Sequence, residues 1–151
     1  MYDQILHFGS KEGLFQAVLD AVHAEVGRRV ASEADAARDP WQALLARSRA
    51  FLEAATAPDV RRIMLLDGPA VLGRSAWREL DARHSMKHLR EHLGLLKEAG
   101  IVVPVDSEAL AYLLSGAVNE AALWIAAQPD REDALGRAVE ALGALLEGMR
   151  R

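Results

Sequence analysis

Three histidines, His84, His88 and His92, stand at i, i+4 and i+8 in a stretch with helical patterning. At about 100° per residue they fall within a narrow arc, which Trp77 and Leu95 share. Two histidines one turn apart can chelate a divalent metal, with Asp81 a turn earlier as a further ligand or as an acceptor for a ligating ring. Around Ser85, Met86 and Lys87 there is no HExxH-type glutamate to act as a base, so a small metal-dependent helical enzyme is the remote reading. The same side chains suit the polar lining of a ligand pocket. They also suit a partly exposed core edge, the commonest place for such residues.

A second candidate is the turn near the start of the sequence. A helix that begins after Gly9-Ser10 presents free N–H groups and a positive dipole end, and Lys11 adds a charge beside His7 and Phe8. Such a terminus can hold a phosphate; an ordinary capped turn is the simpler reading of these residues by themselves. No catalytic arrangement emerges elsewhere. Without cysteine there is neither a thiolate metal site nor a cysteine nucleophile. There is no Gly-rich phosphate loop and no GxSxG elbow, so neither enzymatic activity nor a cofactor is expected.

The elements that would position these residues are helical. Leu14, Phe15, Val18, Leu19, Val22, Val26 and Val30 recur at steps of three and four, predicting a helix from about Lys11 to near Ala36. Asp39-Pro40 starts a second, which fades by Thr56. Pro58-Asp59 opens a short third through Leu66, with a turn expected at Asp67-Gly68-Pro69, because proline removes a helical hydrogen bond. A long helix from about Ser75 to Ala99 follows, with Gly100 as its left-handed cap. The run Ile101-Val102-Val103-Pro104-Val105 has proline inside it and no evident partner strand, so it reads as an extended connector. Asp106 caps a helix to about Gln128, and Pro129-Asp130 starts a last one that ends near Met149. The chain is therefore expected to be all-α, a bundle of about six helices in a single domain.

Hydrophobic residues at 51% and charged residues at 26% fit a folded globular chain rather than a disordered one. The formal net charge of −4 gives bulk electrostatics no part in binding nucleic acid. No uninterrupted apolar run approaches the roughly 20 residues needed to span a bilayer, and no secretory signal is visible. A cytoplasmic location without membrane association is the default expectation. The last two helices are apolar over much of their circumference and interleaved with small residues. Their faces carry Leu114, Val118, Ala121 and Ile125, and Leu135, Val139, Leu142 and Leu146. Either they are core, or a two-fold homodimer covers them in a four-helix bundle.

The phrase His7-Phe8-Gly9-Ser10-Lys11-Glu12-Gly13-Leu14-Phe15 resembles the junction between the DNA-binding and ligand-binding domains of tetracycline-repressor (TetR) family regulators. Residues 65–73, Leu65-Leu66-Asp67-Gly68-Pro69-Ala70-Val71-Leu72-Gly73, and residues 113–126, from Leu113 to Ala126, are similar to phrases of one branch of that family. The resemblance spans about Leu6 to the C-terminus. It implies that residues 1–10 are a remnant of a helix-turn-helix domain and residues 11–151 an effector-binding and dimerisation domain. It further implies a regulator, usually a repressor, that forms a homodimer and binds a small, mostly apolar effector. The implied pocket residues are Phe51, Met64, Trp77, His84, His88, Leu89 and Asn119. DNA is implied as a partner of the full-length form, because Met1 to Leu6 stand where the family carries further helices. Asp3 and Ile5 depart from its pattern there. The alternative is a derivative that does not bind DNA and acts as a ligand-binding or heterodimerising protein.

Overall fold

Three aspartates set where helices begin. Asp39, Asp106 and Asp130 each have extended backbone, and their carboxylates accept from the amides of Gln42, Ala109 and Asp133 at 2.8, 2.8 and 3.1 Å. Each satisfies one of the N–H groups that a helix start leaves without a partner. The computed structural model describes residues 11–81, 83 and 86–151. Its helices are α1 (Lys11–Asp35), α2 (Pro40–Ala55), α3 (Pro58–Arg61), α4 (Gly68–Leu72), α5 (Arg74–Asp81), α6 (Lys87–Glu98), α7 (Ser107–Ala127) and α8 (Arg131–Glu147). A π-helical turn, Arg62–Asp67, joins α3 to α4. The chain is all-α among the described residues, and α2 lies at the centre, against α1, α6, α7 and α8. Leu44, Leu52, Ala54 and Ala55 of α2 are buried there with Leu19, Leu93, Leu96, Ala122 and Ile125.

Two local expectations are corrected. The first concerns Asp67-Gly68-Pro69, where the helical path continues instead of breaking. The Gly68 amide reaches back five residues to the Ile63 carbonyl, and this wider π turn lets Pro69 enter the first turn of α4. Proline is tolerated at that position because its missing N–H would be unpaired there. Space favours Gly68: a Cβ would lie 3.0 Å from the Ile63 carbonyl oxygen, 3.1 Å from the Trp77 ring and 3.2 Å from Leu19, so these neighbours would have to give way.

The long helix expected from Ser75 to Ala99 is described as α5 and α6, with Arg83 and Met86 in π-helical backbone between them and Ala82, His84 and Ser85 outside the described residues. Its expected end holds. Gly100 has φ +73°, its amide donates to Lys97 O at 3.0 Å, and Ile101 N donates to Leu96 O at 2.9 Å, a Schellman closure. The second correction is to the connector at 101–105, which does find a partner. Val102 forms an antiparallel bridge with Arg150, flanked by Val103 N to Met149 O at 2.9 Å and Arg151 N to Ile101 O at 2.8 Å. The partner is too short to register as a strand in sequence.

Helix α7 also departs from expectation, being long and apolar enough, by length and composition, to cross a membrane. Its charges are confined to Glu108 and Glu120. In the structure one face of α7 packs on α2, α6 and α8, while Leu113 and Trp124 stay exposed on another.

Candidate effector cavity

Helix α1 places His23 on the same face as Leu19, Val26 and Val30, a polar residue inside an apolar stripe. Helix α5 brings Asp81 to it, with Asp81 Oδ1 4.0 Å from His23 Nδ1. From α7, Asn119 Nδ2 donates to Asp81 Oδ2 at 3.0 Å and lies 3.5 Å from Ser115 Oγ. All four side chains are buried. They border a cavity of about 590 Å³ walled by Val26, Val30, Phe51, Met64, Leu89, Leu114 and Val118, with Arg28, Asp35 and Arg47 also on its lining. That combination, an apolar wall with a few placed polar groups, is what small-molecule sites require. A second cleft of about 550 Å³ between α2 and α8 is rimmed by Glu33, Arg49 and Glu53 and has no comparable buried polar group.

Of the residues expected around an effector, Phe51, Met64, His88, Leu89 and Asn119 lie along this one cavity. Trp77 does not. It is buried in the core, where its Nε1 donates to Met64 O at 2.8 Å. The reason lies in the π turn. The Gly68 amide is committed to Ile63, and the next residue is Pro69, which has no amide to give. Met64 O therefore takes its donor from a side chain. His84, together with His7, Phe8, Gly9 and Ser10, lies outside the described residues, and Lys11 is the exposed first residue of α1.

Residues assigned from sequence to a dimer face divide three ways. Leu114 and Val118 line the cavity. Ile125, Leu142 and Leu146 are buried in the chain's own core, and Ala121, Leu135 and Val139 pack against it half-buried. The apolar side chains left in solvent on α7 and α8 are instead Leu113 (72% exposed), Leu145 (67%), Tyr112 and Trp124, the last beneath Arg137 at 5.3 Å. Sequence reasoning also missed His23, Arg47 and Ser115 as lining residues. A histidine interrupting the apolar stripe of α1 was the one available signal.

Of the histidine stripe, the two described members, His88 and His92, are engaged differently. His88 is exposed at the cavity edge, whereas His92 Nε2 lies 2.9 Å from Pro40 O, tying α6 to the start of α2. A carbonyl only accepts, so Nε2 carries the proton of the neutral ring. No group of three or more metal-ligating side chains comes together among the described residues. Burial holds the His92 pKa below the usual histidine value; the bond to Pro40 offsets this in part, and Arg47 adds to the depression. The unfolded ring takes up its proton near pH 6.5, above the folded value. Between those two values the unfolded chain binds more protons, so His92's stabilisation is complete above the window and is lost as pH falls through it. His92→Gln keeps a donor for Pro40 but cannot titrate. It is expected to flatten the decline in melting temperature between about pH 7 and about pH 5; an unchanged slope would refute this role.

Comparison with known proteins accords with this architecture. Residues 41–149 match the family model of the tetracycline-repressor-like C-terminal domain. A crystal structure of a TetR-family transcriptional regulator from Pectobacterium atrosepticum is 37% identical and superposes with a TM-score of 0.85, covering 97% of this chain and 75% of that one. No curated protein matches the chain. With the helical order, the capped α7–α8 pair and these two similarities together, the chain belongs to the TetR family of transcriptional regulators.

Proposed function

We propose that this chain is the effector-binding and dimerising part of a cytoplasmic transcriptional regulator, acting as a repressor when joined to DNA in its full-length form. The carrying observation is the 590 Å³ cavity with a buried Asp81–Asn119 pair at its edge. Its role is binding, and occupancy would shift the population between arrangements of the dimer that suit DNA differently. The exposed Leu113, Trp124 and Leu145 support a two-fold contact through α7 and α8, on faces that the chain's own core does not use.

The cavity is tested with 8-anilinonaphthalene-1-sulfonate, whose fluorescence rises in apolar surroundings. Saturable binding is expected, reduced at least about tenfold by Val118→Trp or Leu89→Trp, since either indole would fill the space while circular dichroism keeps its helical form. Equal binding by folded filled variants would place the dye elsewhere and remove the support for an effector cavity.

A further inference from the structure

The two ends of the cavity hold polar atoms of opposite hydrogen-bonding sense that the chain leaves without partners. At one end Asn119, only 5% exposed, has its amide nitrogen committed to Asp81 and Ser115. A carboxylate accepts and does not donate, which fixes the amide orientation and turns Oδ1 away from Asp81. That oxygen is buried and has no hydrogen-bond partner. At the other end Arg47 Nε is likewise buried without a partner. Burial disfavours its charged form, and Asp35 offsets this only in part. Both Arg47 and Asn119 line the cavity.

The span between them follows from α1, which contributes lining residues from His23, beside Asp81, to Asp35, beside Arg47. Those residues are twelve positions apart, so the part of α1 that lines the cavity rises by about 18 Å. Val26, Val30, Phe51, Met64, Leu114 and Val118 form the apolar stretch between. The charged groups are also divided. Arg47 with Asp35 beside it marks one end, Asp81 makes the other an end of acceptors, and Arg28 between them is paired with Glu25.

We propose that the cavity takes an elongated amphipathic molecule with an apolar body, a hydroxyl or N–H donor that meets Asn119 Oδ1, and a carboxylate that meets Arg47. This rests on the effector-binding reading and specifies the class of effector. The two polar ends select a molecule by length, because only one long enough to reach both satisfies both.

The probe is 12-hydroxydodecanoate, compared with dodecanoate, which lacks the donor, and 1-dodecanol, which lacks the carboxylate. Each is titrated against dye-loaded protein. Partition into an indiscriminate apolar space would favour the two more apolar molecules. The expected order is the reverse, with 12-hydroxydodecanoate displacing the dye about tenfold more tightly than either. Asn119→Ala should erase its advantage over dodecanoate, and Arg47→Met its advantage over 1-dodecanol. Equal or tighter binding of dodecanoate or 1-dodecanol to the unaltered protein overturns the proposal without touching the effector-cavity reading, which stands on the filled variants. If the dye itself does not bind, the same three ligands are ranked by calorimetry, and absence of heat from all three also overturns it.

Discussion

Replacing Trp77 with alanine is expected to lower the unfolding free energy by about 3–5 kcal/mol, the range for a buried tryptophan. For a chain of this size that is a fall of roughly 10 °C in melting temperature. Two separate losses combine. The ring is buried against the π turn and lies close to the position a Gly68 side chain would take. Its Nε1 also serves the Met64 carbonyl, for which neither Gly68 nor Pro69 supplies an amide. Trp77→Phe divides the two: it keeps much of the ring and removes the donor, and should cost about 1–3 kcal/mol for the buried carbonyl left alone. Thermal and urea unfolding of both variants checks this. A Trp77→Phe protein as stable as the parent would mean that the hydrogen bond contributes nothing and that packing is the whole of the effect.

For the dimer proposed above, glutamate at Leu113 or Leu145 is expected to leave a monomer of unchanged helical content. Each leucine would be covered once per protomer in a two-fold contact, so a single substitution acts twice. Two leucine side chains removed from burial correspond to about 3–6 kcal/mol, or a loss of roughly 100-fold to 10,000-fold in dimer affinity, before the cost of burying the charge. Sedimentation over a concentration series reads this directly. A dimer as tight as the parent in both variants would exclude this face as the contact. Charge at Leu142 or Leu146, which the apolar pattern of α8 first suggests, would test folding instead, because both are buried within the protomer.

That difference marks how far the chain's pattern could be read. Helix starts were legible because aspartate and proline act within a few residues of themselves, as at Asp39-Pro40 and Asp130. The all-α class and the order of the long helices followed from the same local signals. On α7 and α8, by contrast, apolar residues cover so much of the surface that periodicity does not say which arc faces inward. Leu113 and Leu145 were indistinguishable from Leu114 and Leu146 until the neighbouring helices were in place. The cavity was partly legible, with Phe51, Met64, His88, Leu89 and Asn119 on its lining. Trp77 was misplaced because its role depends on a carbonyl stranded by a π turn, and no composition rule announces such a turn. Arg47 and His23 were missed because long polar side chains on amphipathic helices usually point to water.

The bridge between Val102 and Arg150 has a consequence for kinetics. It joins segments separated by both α7 and α8 through backbone hydrogen bonds, the Arg150 guanidinium 5.3 Å from the Trp41 ring, and the buried Val102 with Ile101 and Met149 packed against the core. Closing so long a loop is unfavourable until the two helices have already brought its ends together. The bridge is therefore expected to close after the rate-limiting step of folding, so that a variant lacking residues 149–151 should unfold faster in stopped-flow measurements and refold at an unchanged rate. Contacts formed that late slow the escape from the native state and leave the speed of reaching it almost unchanged. On that expectation residues 149–151 would act as a latch on an assembled bundle and set how long it stays assembled.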